Sequence, residues 1–480
     1  MMKVPNVDGG VFFFGQVFKM LHGSPWLVFK EWSHKYGQIF TFHLFGSNAL
    51  LVSDPDLLRV ILQTKVHIFR KDVDWVYKPF LVILGNGIVT AHGENWRRQR
   101  TLLSSALRLD ILNYIPNMAI NATKRFSLKL NNVCKTGGTI EMAEEFRTLT
   151  LQVIAEAILS LNPEESDNTF AKMYLPIVEE GNLRTWHPER MYLPFMPSYI
   201  QHTKNVNKLN NYVVSLINKR WKLKQTEKAS IANGDIKDIG RPYDILDKIL
   251  DAIPESEWDT EHINQVRDEI KTFILAGHET SASMLTWSLY ELTLNQNYMN
   301  KLRKQAEDLF GKYKGDEITD IDLTKIPVHS EISSKLSYAD CCLRESLRKY
   351  SVVPTVVRVP SENVEYNGHI IPKGTSVMIN IMGVHHTEEF WPNSDQYIPE
   401  RFENGESQLK PYTFLPFVDG PRNCLGQFLS LLETKIVLSL LVHYYDFTVV
   451  NKDEAGLTHP YMVPIIPKSG HVMKVSKRKA

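Results

Sequence analysis

The 480-residue chain has only four cysteines, Cys134, Cys341, Cys342 and Cys424, and no pair has C-x-x-C spacing. That density excludes a disulfide framework. Adjacent Cys341 and Cys342 point about 100° apart on a helix, so both are expected to stay thiols, which suits a reducing compartment. No apolar run reaches about 18 residues, so no segment reads as a bilayer span. The run Val11 to Phe14 is too short for a signal-peptide core. Neither sign of charge dominates: 55 basic and 54 acidic residues leave a net charge of +1. That balance gives no reason to expect nucleic acid or a strongly acidic partner. No Pro-, Gly- or Ser-rich linker and no internal repeat divides the chain. Length alone allows about three domains. The sequence instead supports one, residues 1–480, with a small β-rich region to about residue 70 and a helical body beyond. The polar stretch Lys222 to Arg241, with Gly234 and Gly240, is expected to be a surface loop. No G-x-G-x-x-G follows a strand, which excludes a built-in dinucleotide site.

What is present is mostly helical periodicity. Gln38 to Val52 alternates as a β-hairpin with its turn at Gly46-Ser47-Asn48, and Asp54-Pro55 opens a helix through Leu62. From about Asn95 to Phe310 the period is that of helices. Short strands return after Tyr350, with turns at Asn367-Gly368 and Lys373-Gly374. The expected fold is mainly α with minor β-sheets near each end.

The richest segment is Phe417-Val418-Asp419-Gly420-Pro421-Arg422-Asn423-Cys424-Leu425-Gly426. It ends where an apolar helix, Gln427 to Tyr445, begins. Unpaired backbone N–H groups and the positive end of the helix dipole favour a thiolate at Cys424, and Arg422 adds fixed positive charge. Gly420 and Gly426 leave room for a flat ligand against the backbone. One thiolate with no second soft ligand nearby favours a haem iron over zinc. The rival reading is a buried structural cysteine at a helix start.

A second segment, Ala276-Gly277-His278-Glu279-Thr280, sits mid-helix within Thr260 to Asn295, for which Asp259 or Thr260 is the expected N-cap. A mid-helix glycine costs about 1 kcal/mol against alanine. Thr280 lies four residues after Ala276, so its hydroxyl can bond that carbonyl and bend the helix. The rival reading is helix packing at Gly277, a surface acid and a buried threonine. His278 reads as a second-shell or surface histidine.

The cysteine segment resembles the haem loop of the cytochrome P-450 superfamily, Phe-x-x-Gly-x-Arg-x-Cys-x-Gly, with Phe417, Gly420, Arg422, Cys424 and Gly426 at every fixed position. Ala276 to Thr280 resembles that family's central-helix motif. Glu345 and Arg348, with Tyr397-Ile398-Pro399-Glu400-Arg401-Phe402, resemble its Glu-x-x-Arg and Pro-Glu-Arg-Phe elements. Trp96 to Arg100 resembles its Trp-x-x-x-Arg helix, and Pro5 to Gly10 the lead of its catalytic domain, which an anchor helix usually precedes in eukaryotic members.

The resemblance implies a helix-rich fold enclosing haem b (iron protoporphyrin IX), with the Cys424 thiolate as axial ligand and O2 as co-substrate. It implies that Trp96, Arg100, Arg358 and Arg422 clamp the haem carboxylates and that Glu345, Arg348 and Arg401 form a structural triad bracing the cysteine loop. Thr280 is expected to steady the activated oxygen and Glu279 to relay protons. His385 falls near the haem edge in some relatives. The implied reaction inserts one oxygen atom into an apolar small molecule, by hydroxylation or epoxidation. Electrons would come from an NADPH-dependent flavoprotein reductase or a ferredoxin docking near Arg97 and Arg98. The rivals are a haem-thiolate isomerase or dehydratase of lipid hydroperoxides and a non-enzymatic haem-binding protein. Trp75 to Ile88 is expected on the distal wall. The apolar patch Trp186 to Ile200 suggests a substrate lid or peripheral membrane contact, at the endoplasmic reticulum or a plastid. The central helix also looks like those of plant carotenoid-ring and fatty-acid hydroxylases.

Overall fold

The computed structural model describes residues 4–21, 24–107, 109–233, 243–460 and 463–479. Its pillar is the helix Thr260–Leu294, which Asp259 caps by accepting the His262 N–H at 2.9 Å. Residues 281–292 of this helix are buried on every side, as expected of a helix crossing the middle of a large core. Around it stand α1 (Pro25–Tyr36), α2 (Gly93–Ala106), α3 (Ile115–Thr136), α4 (Met142–Leu159), α5 (Ala171–Trp186) and α6 (Pro197–Ala232). The pillar is α7, followed by α8 (Ser337–Tyr350) and α9 (Gln427–Tyr444). Its principal partner is α4. No helix among the described residues is long and apolar enough to cross a membrane.

The strands are β1 (Ile39–Leu44), β2 (Ser47–Val52), β3 (Phe69–Lys71), β4 (Thr139–Glu141), β5 (Thr355–Pro360), β6 (Val364–Tyr366), β7 (His369–Ile371), β8 (Ser376–Asn380), β9 (Tyr445–Val449) and β10 (Val472–Lys477). They form three sheets, ordered β1-β2-β8-β5-β3, β4-β10-β9 and β6-β7. The β-regions expected near each end are therefore not separate. Parallel pairing of β2 with β8 sets Leu50 opposite Val377 and joins them in one sheet. At its edge β3 pairs with β5 and places Lys71 opposite Arg358.

Two local expectations are corrected. The hairpin turns on Phe45-Gly46, both at positive φ (48° and 75°), while Ser47 and Asn48 already belong to β2. That is the two-residue turn that suits the twist of paired strands. The stretch from Lys222 is helix as far as Ala232, and residues 234–241 of the expected loop lie outside the described residues. Tertiary partners make this polar sequence helical: Lys224 is buried against Asp251 and the Asp247 carbonyl, and Trp221 stacks on Trp258 at 4.0 Å.

Candidate haem-thiolate site

The cysteine loop is closed by its own backbone, the Cys424 N–H donating to the Phe417 carbonyl at 2.8 Å. Gly420 is required, but for packing rather than ligand access: its φ is 77°, and a Cβ there would meet the Leu62 carbonyl oxygen at 2.2 Å. Gly426, by contrast, has open space where a side chain would project. Cys424 is exposed, yet enough protein surrounds it that burial pushes its thiol pKa up. The N–H groups of Gly426 and Gln427 and the cations Arg100 and Lys71 pull toward the thiolate, but burial outweighs them. The protein alone therefore does not hold the anion expected from the helix start, and the helping cation is not Arg422. A metal cation bound to the sulfur would supply the missing charge.

Two further residues on largely buried helices are exposed. Ala276 is exposed in the middle of α7, and Phe428, at the start of the otherwise buried α9, is 72% exposed. Helices α7 and α9 meet one residue beyond Thr280, where the Ser281 and Ser430 hydroxyls lie 2.8 Å apart.

The cations expected on the haem carboxylates are drawn together, with different partners. Arg100 donates to the Asn423 carbonyl at 2.8 Å and to its side-chain oxygen at 2.6 Å, tying α2 to the residue before Cys424. Arg422 lies over the Trp96 ring at 4.4 Å and donates to the Ala91 carbonyl. Buried Arg358 donates to the Val357 carbonyl at 2.9 Å. Burial and the neighbouring Arg358 bring Arg422 down to about 10, and burial with Arg358 and Arg422 holds Lys71 well below its ordinary value. No carboxylate of this chain is among the partners shown for Arg100, Arg358, Arg422 or Lys71. The His92 Nδ1 nearby is buried without a partner. Four crowded cations for which no carboxylate partner is shown among the described residues fit a ligand carrying carboxylates, so the residues present suit a haem. Lys71 escaped the sequence reading because only the β3–β5 register brings it to Arg358.

On α7 the Thr280 hydroxyl donates to the Ala276 carbonyl at 2.7 Å, as expected. Gly277 has a packing reason instead: a Cβ would lie 2.8 Å from the Ile154 side chain of α4. Glu279 is buried and turned toward α4, where Arg147 Nη2 and Nε donate to it at 2.7 and 3.1 Å. Burial raises its carboxyl, but His278 and Arg147 together outweigh burial and bring it to about 2. The His278 Nε2 lies 3.1 Å from Glu279 Oε1 without hydrogen-bond geometry, so the directed bonds belong to Arg147. His278 is buried rather than at the surface, its Nδ1 on the Ile274 carbonyl and its ring edge-on to Tyr174. Arg147 lies far from any motif, and nothing in the sequence pointed to it.

The charge frame assembles as expected and is fully buried at its centre. Arg348 donates to both Glu345 oxygens at 2.8 Å, and Arg401 Nε lies 3.4 Å from Glu345. Arg348 also donates to the carbonyls of His385 and Gln396 at 2.9 Å. His385 is the joint to the cysteine loop rather than a haem-edge residue: its Nε2 accepts the Leu415 N–H at 2.8 Å and its Nδ1 meets Ser351.

An exposed cysteine just before a buried helix, a Thr280 hydroxyl turned back onto the Ala276 carbonyl and cations crowded beside the cysteine are the features of a haem-thiolate protein. The family model for cytochrome P450 matches residues 5–473, and the chain belongs to that family. Among its relatives, Drosophila melanogaster cytochrome P450 4d8 is 26% identical over 438 residues, covering 87% of this chain and 90% of the relative. Human cytochrome P450 4X1 is 28% identical over 467 residues, covering 93% and 86%. An Arabidopsis thaliana cytokinin hydroxylase is 25% identical over 425 residues, covering 88% and 78%. The chain is thus a haem-thiolate monooxygenase that uses O2, takes electrons from a redox partner and acts on hydrophobic substrates.

Proposed function

We propose that this chain, as one catalytic unit, hydroxylates or epoxidises a lipid-like or terpenoid substrate with electrons from an NADPH-dependent flavoprotein reductase. The carboxylate-free set of cations around Cys424 carries this reading, and a relative named as a hydroxylase supports the reaction type. Cys424 would ligate the haem iron, and Phe417 and Gly426 would lie beside the haem. Trp96, Arg100, Arg358, Arg422 and Lys71 hold the carboxylate edge. Haem, when bound there, supplies O2 activation. Thr280 presents the hydroxyl that orders protons at the cavity. Glu279 stays a carboxylate on Arg147 and moves a proton only by loosening that pair. At the expected dock Arg97 is paired with Glu94 on the surface, so Arg98 is the freer charge for a reductase.

Holoprotein supplied with 18O2 and a substrate found by its Soret shift should place one labelled atom in each product with NADPH and a reductase, and turn over more slowly with a ferredoxin. Thr280→Ala should lower product at least about tenfold while electrons are diverted to peroxide. Rearrangement of a lipid hydroperoxide without reductase or label would overturn the proposal in favour of an isomerase.

We further propose peripheral membrane contact, at the endoplasmic reticulum or a plastid, through Phe12, Phe13 and Phe45. Phe12 is 96% exposed, and Phe14 packs against both Phe13 and Phe45. Tyr192, Leu193 and Phe195, the last 74% exposed, offer a second apolar surface. Flotation with phosphatidylcholine–phosphatidylserine vesicles should carry the wild type and lose most of a Phe12→Ser/Phe13→Ser variant. Equal flotation of the two rejects the aromatic contact.

A further inference from the structure

The segment Val82 to Thr90 is fastened to α7 by that helix's side chains. Asp268 Oδ2 accepts the Asn86 N–H at 3.1 Å, and Glu269 Oε2 accepts the Ile88 N–H at 3.0 Å. Gln265 donates to the Asn86 carbonyl at 3.1 Å, Lys271 to that of Val82 at 3.2 Å and Thr272 to that of Leu84 at 3.2 Å. Two glycines make the approach possible. A Cβ on Gly85 would lie 2.0 Å from Asp268 Oδ2, and one on Gly87 would lie 2.4 Å from Thr272 Oγ1. The backbone therefore meets the Asp268 carboxylate and the Thr272 hydroxyl at distances that no larger residue permits.

The position of this fastening links it to the cavity. Residues 268, 272, 276 and 280 are four apart and share one face of α7. Asp268 and Thr272 hold the segment, Ala276 is exposed, and the Thr280 hydroxyl bonds the Ala276 carbonyl. The segment thus covers the first half of this row, and just past its other end Ser281 bonds Ser430 on α9, the helix that follows Cys424. It leads directly into α2, which carries Trp96 and Arg100.

The segment is packed as well as fastened, with Ile83 buried in the core and Ile88 against it, but one side is open. A cleft of about 140 Å³ borders the fastening, lined by Gln99, Gln265 and Glu269 with Arg98, Leu102 and Ile253. Arg267 and Lys271 both pair with Asp268, at 2.9 and 3.2 Å. Glu269 has the Ile88 N–H and the Gln265 amide as its donors. Burial pushes its carboxyl up to about 7 despite both. Keeping this carboxylate costs the fold stability, and what it secures is one backbone segment.

We propose that Asp268 and Glu269 form a two-carboxylate latch that fixes Val82 to Thr90 as a wall of the substrate cavity, and that releasing it widens the route to the space above Cys424. Both are positioning residues, since neither reaches the reacting atoms. What the cavity holds rests on the haem-thiolate assignment; the latch belongs to the polypeptide itself.

Two measurements on the full holoprotein test it. Hydrogen exchange of amides 84–90 should quicken roughly tenfold in Glu269→Gln, and further in Asp268→Asn/Glu269→Gln, as charge-assisted bonds weaken. Peptides spanning 417–427 should not change. Carbon monoxide rebinding after photolysis should quicken several-fold in the double variant, with the ferrous carbonyl band unmoved. Unchanged exchange in the single and double variants would overturn the latch. Faster exchange with unchanged rebinding would overturn its link to the route. Should the double variant not fold, Glu269→Gln alone decides both. Absence of the band in the wild type would instead defeat the haem assignment, leaving the exchange result to judge the latch.

Discussion

Cys424→Ser is expected to give a folded protein whose reduced, carbon monoxide-treated form lacks the strongly red-shifted band of a thiolate-ligated haem. The substitution exchanges one atom. It keeps the N–H bond to the Phe417 carbonyl, and the side chain it alters is exposed rather than packed, so the fold should lose less than about 1 kcal/mol. The chemistry loses far more. A serine hydroxyl does not ionise where burial already disfavours the anion of the more acidic thiol. Without thiolate donation, the electronic push that favours O–O cleavage is gone. Product formation should fall more than about 100-fold, about 2.7 kcal/mol of barrier. Circular dichroism and haem content separate this from unfolding. A serine variant that keeps the band would show that Cys424 is not the ligand.

The parts of this site legible in sequence are those whose geometry is local. The Thr280–Ala276 bond follows from i,i+4 spacing, and the Glu345–Arg348 pair from i,i+3 spacing on one helix. The cysteine loop is legible because five fixed residues fall within ten. What was missed depends on chain segments far apart in sequence. Lys71 reaches Arg358 only through the β3–β5 register, and Arg147 reaches Glu279 only because α4 packs along α7. His385 bridges the charge frame and the loop across 30 residues. The same distance explains the wrong reading of Lys222 to Ala232. Its own composition suggests a loop, whereas Asp251 and Trp258 make it helix. Gly420 shows a subtler failure, since a glycine beside a motif suggests a ligand and it was needed by a neighbouring segment, whereas helix packing was already one of the two readings of Gly277.

Glu345→Ala should give a protein that does not retain haem, although Glu345 touches neither ligand nor substrate. Its carboxylate accepts two bonds from Arg348 and the Ile398 N–H at 2.9 Å, with Arg401 alongside. Removing it strands the fully buried Arg348, a cost of about 3–5 kcal/mol, and leaves a backbone donor unpaired. Arg348 must then move, and its bonds to the carbonyls of His385 and Gln396 move with it. Because His385 holds the Leu415 N–H, the displacement reaches the segment that presents Cys424. The damage should therefore appear as lost haem before lost helix, with haem-to-protein ratio falling at near-normal circular dichroism. Glu345→Gln retains an acceptor for Ile398 without the charge and should fall between alanine and wild type. Full haem content in the alanine variant, with an unaltered melting temperature, would mean that the triad does not brace the loop. Equal loss in alanine and glutamine would mean that charge alone, not the Ile398 bond, fixes the frame.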